Sequence, residues 1–512
     1  MRIKRLWIGQ FKNLINVNVQ FDPSKLTTVL IGRNGSGKSN FLEALVQIFK
    51  ELDLKEMPSF DYVLEYECNG HQIVINAHGG VNKNIELMVD QKPMLYSIFV
   101  NDPNREFLPR NVFGYYSGTS KRLERYFEKH QEAFYYKLLD GKRPPLRPLF
   151  YARPIHSQYV LLAFFSFEDK EAAAFLKKYL GIVSFENAEF ILKQPRWYKK
   201  KNGDESFWGA RGVVRGFMED LYSHSFLPIK DKVRVTLEYG QSRTEERLYL
   251  RIKNLESLLA LANKYKTNVE FFKTLESTYI SDLIHALVIR VNKEGVTGKV
   301  EFAELSEGEQ QLLTVLGLLR FTKEQESLFL LDEPDTHLNP AWKLEYVSLL
   351  QGVVEEKDNS HIILVTHDPL IVGGLKREQV QIFSVNGPDK RVNVNQPEED
   401  PVGMGVAALL TSDIFGLPTA LDLETQKKLD RKSELSIKEN PSAADYKELE
   451  KLNEELDKMG FLVAFRDPLY SKFVKATKEY DQLRRPALTK DDRAKQAELA
   501  RDIVAKLKEE EA

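Results

Sequence analysis

At 512 residues, with 42% hydrophobic and 29% charged positions, the chain can bury a large core and has room for two or more structural units. A formal net charge of −2 gives no global electrostatic case for nucleic acid or membrane, so any such contact must come from a local patch. The single Cys68 excludes a disulfide framework and a CxxC zinc hook, and apolar runs such as Tyr159 to Phe167 fall short of the ~20 residues of a membrane helix. No cationic segment with an apolar stretch opens the chain, so a cytoplasmic location and no membrane contact are expected.

Ile3 to Ile8 and Val17 to Phe21 alternate and predict antiparallel strands. Thr27 to Ile31 is a continuous apolar and β-branched run, the mark of a strand buried on both faces. It ends in Gly32-Arg33-Asn34-Gly35-Ser36-Gly37-Lys38-Ser39, after which Phe41, Leu42, Leu45, Ile48 and Phe49 recur at helical spacing. Residues 61–118 read as β-rich, with hairpin candidates over Asp61 to Ala77 and a strand at Val112 to Tyr116. From Lys121 to about Thr297 the patterns predict helices near Arg122 to Leu139, Gln158 to Phe167 and Lys170 to Leu180. A hairpin follows, Lys232 to Tyr239 with Arg247 to Ile252 about Gly240-Gln241-Ser242, and then one helix over Asn254 to Thr274.

From Lys299 the reading is a short strand, the run Leu305-Ser306-Glu307-Gly308-Glu309-Gln310-Gln311, a helix through Leu319, the strand Ser327 to Leu331, a helix from Pro340 to Gln351 and the strand His361 to Val365. Such alternation builds a parallel sheet with crossover helices. Residues 386–403, rich in Asn, Pro, Asp and Glu, predict an exposed connector. Beyond Leu421, Lys, Arg, Asp and Glu supply 41 of the last 92 residues, and a mainly helical tail is expected, cut by Pro441, Pro468 and Pro486. The expected divisions are 1–118, an inserted subdomain over 119–295 that is mainly helical with a β-hairpin, 296–385, a connector over 386–420 and a charged helical region over 421–512.

The glycine loop sits between a buried strand and a helix, the context in which Gly32, Gly35 and Gly37 turn backbone N–H groups toward phosphate oxygens at a helix N-terminus. Lys38 then neutralises the β and γ phosphates of ATP, Ser39 places its hydroxyl on Mg²⁺, and Arg33, Asn34, Ser36 and Asn40 belong to the same cradle. Ser327 to Leu331 runs straight into Asp332-Glu333-Pro334. Neighbouring side chains on a strand face opposite ways, and a strand end is where such a sheet presents its ligand. Asp332 suits Mg²⁺, and Glu333 suits orienting and deprotonating the attacking water. His367 repeats the design after Ile362 to Val365 and suits a γ-phosphate contact.

The loop, Leu305 to Gln311, Asp332-Glu333 and His367 stand in the order of the ABC class of P-loop ATPases, which the chain resembles over about residues 1–50 and 296–385. The resemblance implies an α/β fold: an ABC-type P-loop ATPase head, a mixed sheet with flanking helices, carrying an inserted α/β subdomain and a helical C-terminal extension. It also implies that Ser306, Gly308 and Glu309 meet the nucleotide held by Lys38 of a second copy of the chain, and that Asp335 to Pro340 forms the loop between the two sites. Asn339 stands where transporter-type members carry an acid. Gln158 is the candidate for the glutamine that reaches Mg²⁺, with an ordinary helix N-terminus as the alternative.

Gly9 to Leu14, the loop's Asn40 and the long separation from Ser39 to Leu305 resemble the SMC and RecF-like branch rather than transporters. Phe113 to Gly118, Trp208-Gly209-Ala210, Leu410 to Pro418 and Asp467 to Tyr470 look like the ATPases of bacterial antiphage systems of the Septu and retron-associated type. That likeness implies a switch that controls a separate HNH nuclease. The competing readings are a DNA repair or recombination ATPase acting directly on DNA and, more remotely, a transporter subunit. Arg196, Trp197, Lys199, Lys200 and Lys201 interleave base with aromatics, with Phe207, Trp208, Arg211 and Arg215 after them. This patch fits a nucleic-acid backbone with stacked bases, or else a solvated loop.

Overall fold

In the computed structural model, residues 1–167, 170–198, 206–236, 242–322, 326–354, 359–386, 391–438, 441–459, 497–498 and 500–504 are described. The strands are β1 (Arg2–Phe11), β2 (Leu14–Gln20), β3 (Thr27–Gly32), β4 (Tyr62–Cys68), β5 (His71–His78), β6 (Asn84–Val89), β7 (Lys92–Met94), β8 (Val112–Tyr116) and β9 (Leu149–Tyr151). After them come β10 (Ile182–Lys193), β11 (Phe226–Thr236), β12 (Ser242–Ile252), β13 (Ile284–Lys293), β14 (Lys299–Glu301), β15 (Leu328–Asp332), β16 (His361–Val365), β17 (Val380–Asn386) and β18 (Arg391–Asn395).

They form three sheets. The first is antiparallel with order β2-β1-β4-β5-β6-β7, and the second runs β18-β17-β3-β16-β15-β8-β9. In the second, β16 pairs in parallel with β3 and β15, and β8 pairs in parallel with β15 and β9. β15 and β16 are buried at every position, as their unbroken apolar runs require. The carboxyl ends of β3, β16, β15 and β8 therefore share one edge of the sheet, the edge at which an open α/β sheet presents ligands.

The helix Lys38–Leu54 follows β3 and lays Phe41, Leu42, Leu45 and Phe49 into one core with Tyr62, Leu64 and Tyr66 of β4 and Ile73 and Ile75 of β5. The first sheet thus roofs the helix that carries the glycine loop. His361, at the start of β16, joins the two sheets. Its Nδ1 accepts from the Ile3 N–H at 3.2 Å and its Nε2 lies 3.1 Å from Thr28 Oγ1. Full burial drives its pKa down to about 3, so the ring is neutral.

The insertion departs from expectation. Beside its helices, the expected hairpin β11-β12 is part of a five-stranded antiparallel sheet, β11-β12-β10-β13-β14, whose last strand lies beyond residue 295. The signal in β10 is scrambled by register breaks between Ile182 and Ser184 and between Phe185 and Asn187, which erase its period-two alternation. The expected helix over Asn254 to Thr274 is two, Leu255–Ala262 and Asn268–Ile280, because Thr267 accepts from the Glu270 N–H and starts a second N-terminus. Part of the expected connector pairs as β18, with Val392 buried at the sheet edge.

Helix Ile155–Phe165 is largely buried, its apolar residues from Tyr159 onward falling on every side. A buried charge network holds it to helix Asn268–Ile280: Glu276 accepts from Arg147 Nη2 at 2.7 Å and pairs with His156 Nε2 at 2.8 Å. Burial opposes charge on Glu276, yet His156 and Arg147 outweigh it and bring its pKa down to about 2.

Met1–Ile371 with Phe383–Val394 form one compact unit, and Val372–Ile382 with Asn395–Ala512 the other. In the latter, Leu423–Ser436 and Ala443–Lys458 form a helical pair on either side of Pro441, linked by Arg431 to Glu448 at 2.8 Å. Pro468, Pro486 and Asp467 to Tyr470 lie outside the described residues. No helix among the described residues is long and apolar enough to cross a membrane.

Candidate ATP site

The glycine loop turns through positive φ at Gly32, Gly35 and Gly37, 146°, 80° and 100°. A Cβ on Gly32 would stand 2.1 Å from the Phe383 carbonyl oxygen, so only glycine lets the loop pass β17. Lys38 is buried, and its ammonium donates to the carbonyls of Gly32 at 2.7 Å and Arg33 at 3.2 Å. Burial lowers its pKa, while Glu333 and Asp332 pull it back up. The Ser36 hydroxyl is a buried polar atom with no protein partner, inside a loop whose N–H groups suit phosphate.

Ser39 Oγ donates to Asp332 Oδ1 at 3.2 Å, bringing the first turn of the loop helix to the end of β15. Burial pushes Asp332 up to about 6, with Glu333 adding to the rise while the bond from Ser39, Arg122 and Lys38 oppose it. A hydroxyl and a carboxylate are what Mg²⁺ takes from protein when phosphates and water complete its shell. The residues present therefore fit ATP with Mg²⁺, and the bound ion would neutralise phosphate charge.

Glu333 has φ 52°, a left-handed backbone that non-glycine residues adopt at a cost. Its N–H donates to the Val365 carbonyl at 2.9 Å, which fixes the turn beyond β15 against β16. Its carboxylate stays partly exposed, and His367 Nδ1 lies 3.4 Å from Glu333 Oε1. Asp332 thus meets Ser39 of the loop helix, and Glu333 meets His367. Their opposite directions follow from their adjacency on a strand end.

Two family models match in tandem. Residues 1–187 match the "AAA ATPase domain" and residues 202–373 the "AAA domain, putative AbiEii toxin, Type IV TA system". Both models describe AAA-type domains, and together with the ATPase-named relative they mark the chain as an ATPase. This ATPase is 24% identical over 441 residues to the "Retron Vc95 probable ATPase" of Vibrio cholerae serotype O1 biovar El Tor, covering 80% of this chain and 78% of that one. It is 27% identical over 314 residues to the "Septu protein PtuA" of Bacillus mycoides (strain KBAB4), covering 53% of this chain and only 42% of that relative's length.

A 45-residue stretch is 47% identical to the "DNA replication and repair protein RecF" of Trichlorobacter lovleyi, over 9% of this chain and 12% of that one. Among solved structures, an SMC head bound to the C-winged helix domain of ScpA aligns at 14% identity and TM-score 0.34, covering 77% of this chain and 97% of that one. An overlay that loose does not bear on the site.

The ATPase's Ser306 caps the helix that begins at Glu307, in a reciprocal box: its Oγ accepts from the Glu309 N–H, and Glu309 Oε2 accepts from the Ser306 N–H at 2.8 Å. The other oxygen of Glu309 is held by Lys293 Nζ at 2.5 Å, from the end of β13. Glu309 thus braces Ser306 within its own chain. Gly308 is required by a close approach, because a Cβ there would meet the His337 carbonyl oxygen at 2.5 Å. Ser306 itself is exposed.

Arg33, Asn34 and Gly35 are exposed on the loop. Asn40 instead spends its side chain on Asn13, at 2.6 Å, and Arg122, at 2.7 Å. Arg122 Nε also donates to Glu43 at 2.6 Å, where Lys12 pairs as well. Gln158 lies on the buried helix Ile155–Phe165 with its Oε1 buried and unpartnered, and no described hydrogen bond joins it to Ser39 or Asp332. The end of β8 delivers Ser117 to the Asp332 edge instead: its N–H donates to the Asp332 carbonyl at 3.2 Å, and its Oγ lies 3.1 Å from Thr336 Oγ1.

Gln311 has a role that its position in the sequence does not announce. Its Oε1 accepts from the His337 N–H at 3.0 Å and its Nε2 lies 3.5 Å from the Glu333 carbonyl, so the Ser306 helix grips the loop after β15. Its place one helical turn past Gly308 was the only available signal. Asn339 is the N-cap of helix Pro340–Val353, accepting from the Trp342 N–H at 3.0 Å.

Proposed function

We propose that the protein is an ATP-binding and ATP-hydrolysing dimeric switch. Two ATPs lie between Lys38 of one copy and Ser306 of the other, and hydrolysis at Glu333 releases the pair. The observation that carries this reading is the exposure of Ser306: Lys38, Ser39, Asp332, Glu333 and His367 gather at one sheet edge, while Ser306 is turned to solvent and bonded within its own helix. Each copy orients its own Mg²⁺ and water and takes γ-phosphate contacts from the other, so cleavage requires the pair.

The output of the switch is control of a separate effector, an HNH-type nuclease, in bacterial antiphage defence. The Septu and retron relatives support this, and the charged C-terminal region supplies surface for such a partner. Glu333→Gln should lengthen ATP-bound association, read by light scattering and sizing with ATP, and Lys38→Ala should abolish it. A Glu333→Gln protein that stays monomeric with saturating ATP would rule the clamp out. The RecF stretch supports the second reading, direct action on DNA; ATP hydrolysis stimulated by DNA with no nuclease present would favour it.

A further inference from the structure

A cavity of about 450 Å³ opens beside the inserted sheet, and none of its lining residues belongs to the ATP site. Phe207, Tyr222, Pro228 and Leu248 give it flat and apolar walls, and Glu219 and Lys230 are its polar lining. That size and mixture suit a small planar ligand with a polar edge. One wall is built at a cost: Phe207 and Trp208 both hold left-handed backbone, φ 50° and 54°, a conformation bulky residues seldom take. This strained turn buries Trp208, whose Nε1 donates to Glu246 at 3.3 Å, and brings the Phe207 ring edge-on to Tyr222 with centroids 5.9 Å apart. Tyr222 nevertheless keeps 48% of its surface exposed, so an aromatic face is left for another ring.

The mouth of the cavity continues along β11, the outermost strand of its sheet. Lys230, Lys232 and Arg234 share one face there, spaced about 6.8 Å apart as alternate residues of a strand. Acids on that side are matched within the chain: Glu219 by Arg215 at 2.7 Å, and Glu246 by Trp208 and by Lys230 at 3.3 Å. Among the described residues Arg234 meets the neutral Ser242, at 2.8 Å, so positive charge is in excess there. Pairing with another protein's strand is disfavoured along this edge. Pro228 has no N–H to donate, and the register breaks between Phe226 and Ile229.

We infer that this cavity and the basic row beside it form a binding site for single-stranded nucleic acid, with one base against Tyr222 and the backbone along Lys230, Lys232 and Arg234. Aromatic stacking is tolerant of base identity, and the row supplies the salt-dependent part of the affinity. Of the patch expected from the sequence, Phe207 and Trp208 belong to this site. Trp197 is tied to the Ser281 carbonyl at 2.8 Å, Arg196 lies 4.0 Å from Asp282, and Lys199, Lys200 and Lys201 fall outside the described residues.

The test uses the full chain without nucleotide, so its result does not depend on dimerisation by ATP. Fluorescence anisotropy would compare an oligo-dA strand with an abasic strand of equal length. The expected result is roughly tenfold weaker binding of the abasic strand, the effect of one stacked base. Tyr222→Ala should lose the same factor for oligo-dA and nothing for the abasic strand, with basal ATP hydrolysis unchanged. Lys232→Ala with Arg234→Ala should weaken both strands and flatten the salt dependence by about two ions. Equal affinity for the two strands, or full affinity in Tyr222→Ala, would overturn the site. So would polyglutamate displacing oligo-dA as readily as unlabelled oligo-dA does, which would mark an unspecific basic or peptide-binding surface.

Discussion

The seven-stranded sheet and the five-stranded sheet of the insertion solve opposite problems. In the first, strands buried on both faces run in parallel and release their polar residues only at one edge, so Ser39, Asp332, Glu333 and His367 are forced together. In the second, antiparallel strands run outward to an exposed β11, and its chemistry is a surface row with a pocket. Covered strands constrain residues tightly and leave legible motifs, whereas an exposed edge tolerates many sequences. The two are joined by the Lys293–Glu309 pair, where the last residue of β13 reaches the helix that Ser306 caps.

The largest expected effect breaks the first region alone: under the proposed role of its charge beside the developing phosphate charge, Lys38→Ala should lower ATP hydrolysis by roughly a thousandfold. The fold should be intact by circular dichroism. Next comes the buried network of the insertion. Glu276→Ala should cost about 3–5 kcal/mol by strand- and helix-reported denaturation, since it leaves Arg147 buried and unpaired.

The same network sets an acid limit. A carboxylate lowered to about 2 contributes stability that is full above the unfolded value of 4.5 and is lost as pH falls toward 2. Wild type should therefore lose stability across that window more steeply than a Glu276→Gln variant. Asp332 has the opposite sign, because its folded pKa lies above its unfolded 3.8. Its charge costs the ligand-free protein stability as pH rises through about 6. Asp332→Asn should raise thermal stability by roughly 1–3 kcal/mol at neutral pH, nothing near pH 3, and should erase stabilisation by Mg²⁺ with ATP.

The link between the regions is tested by Lys293→Met, which should slow hydrolysis about tenfold while leaving nucleotide affinity intact, with Lys293→Arg restoring most of the rate. An unchanged rate would mean that the insertion does not bear on Ser306. The smallest effect concerns the loop beyond β15: Asn339→Ala should cost about 1 kcal/mol, as loss of one helix cap.

What the sequence by itself determined is the nucleotide-binding edge. Strand, glycine loop and helix must occur in that order for N–H groups to face phosphate, and two acids after a buried strand have nowhere to point but outward, so local pattern and function coincide. Only the tertiary structure decided the rest. β10 carries register breaks that hide its alternation, and Gln311, Ser117 and Arg122 gain roles only when β8, β15 and the Ser306 helix are brought side by side. Tyr222 and Lys230 become a site only once the strained turn at Phe207 and Trp208 folds beside β11. Those contacts join residues far apart in the chain, and no period or spacing records a contact that packing alone creates.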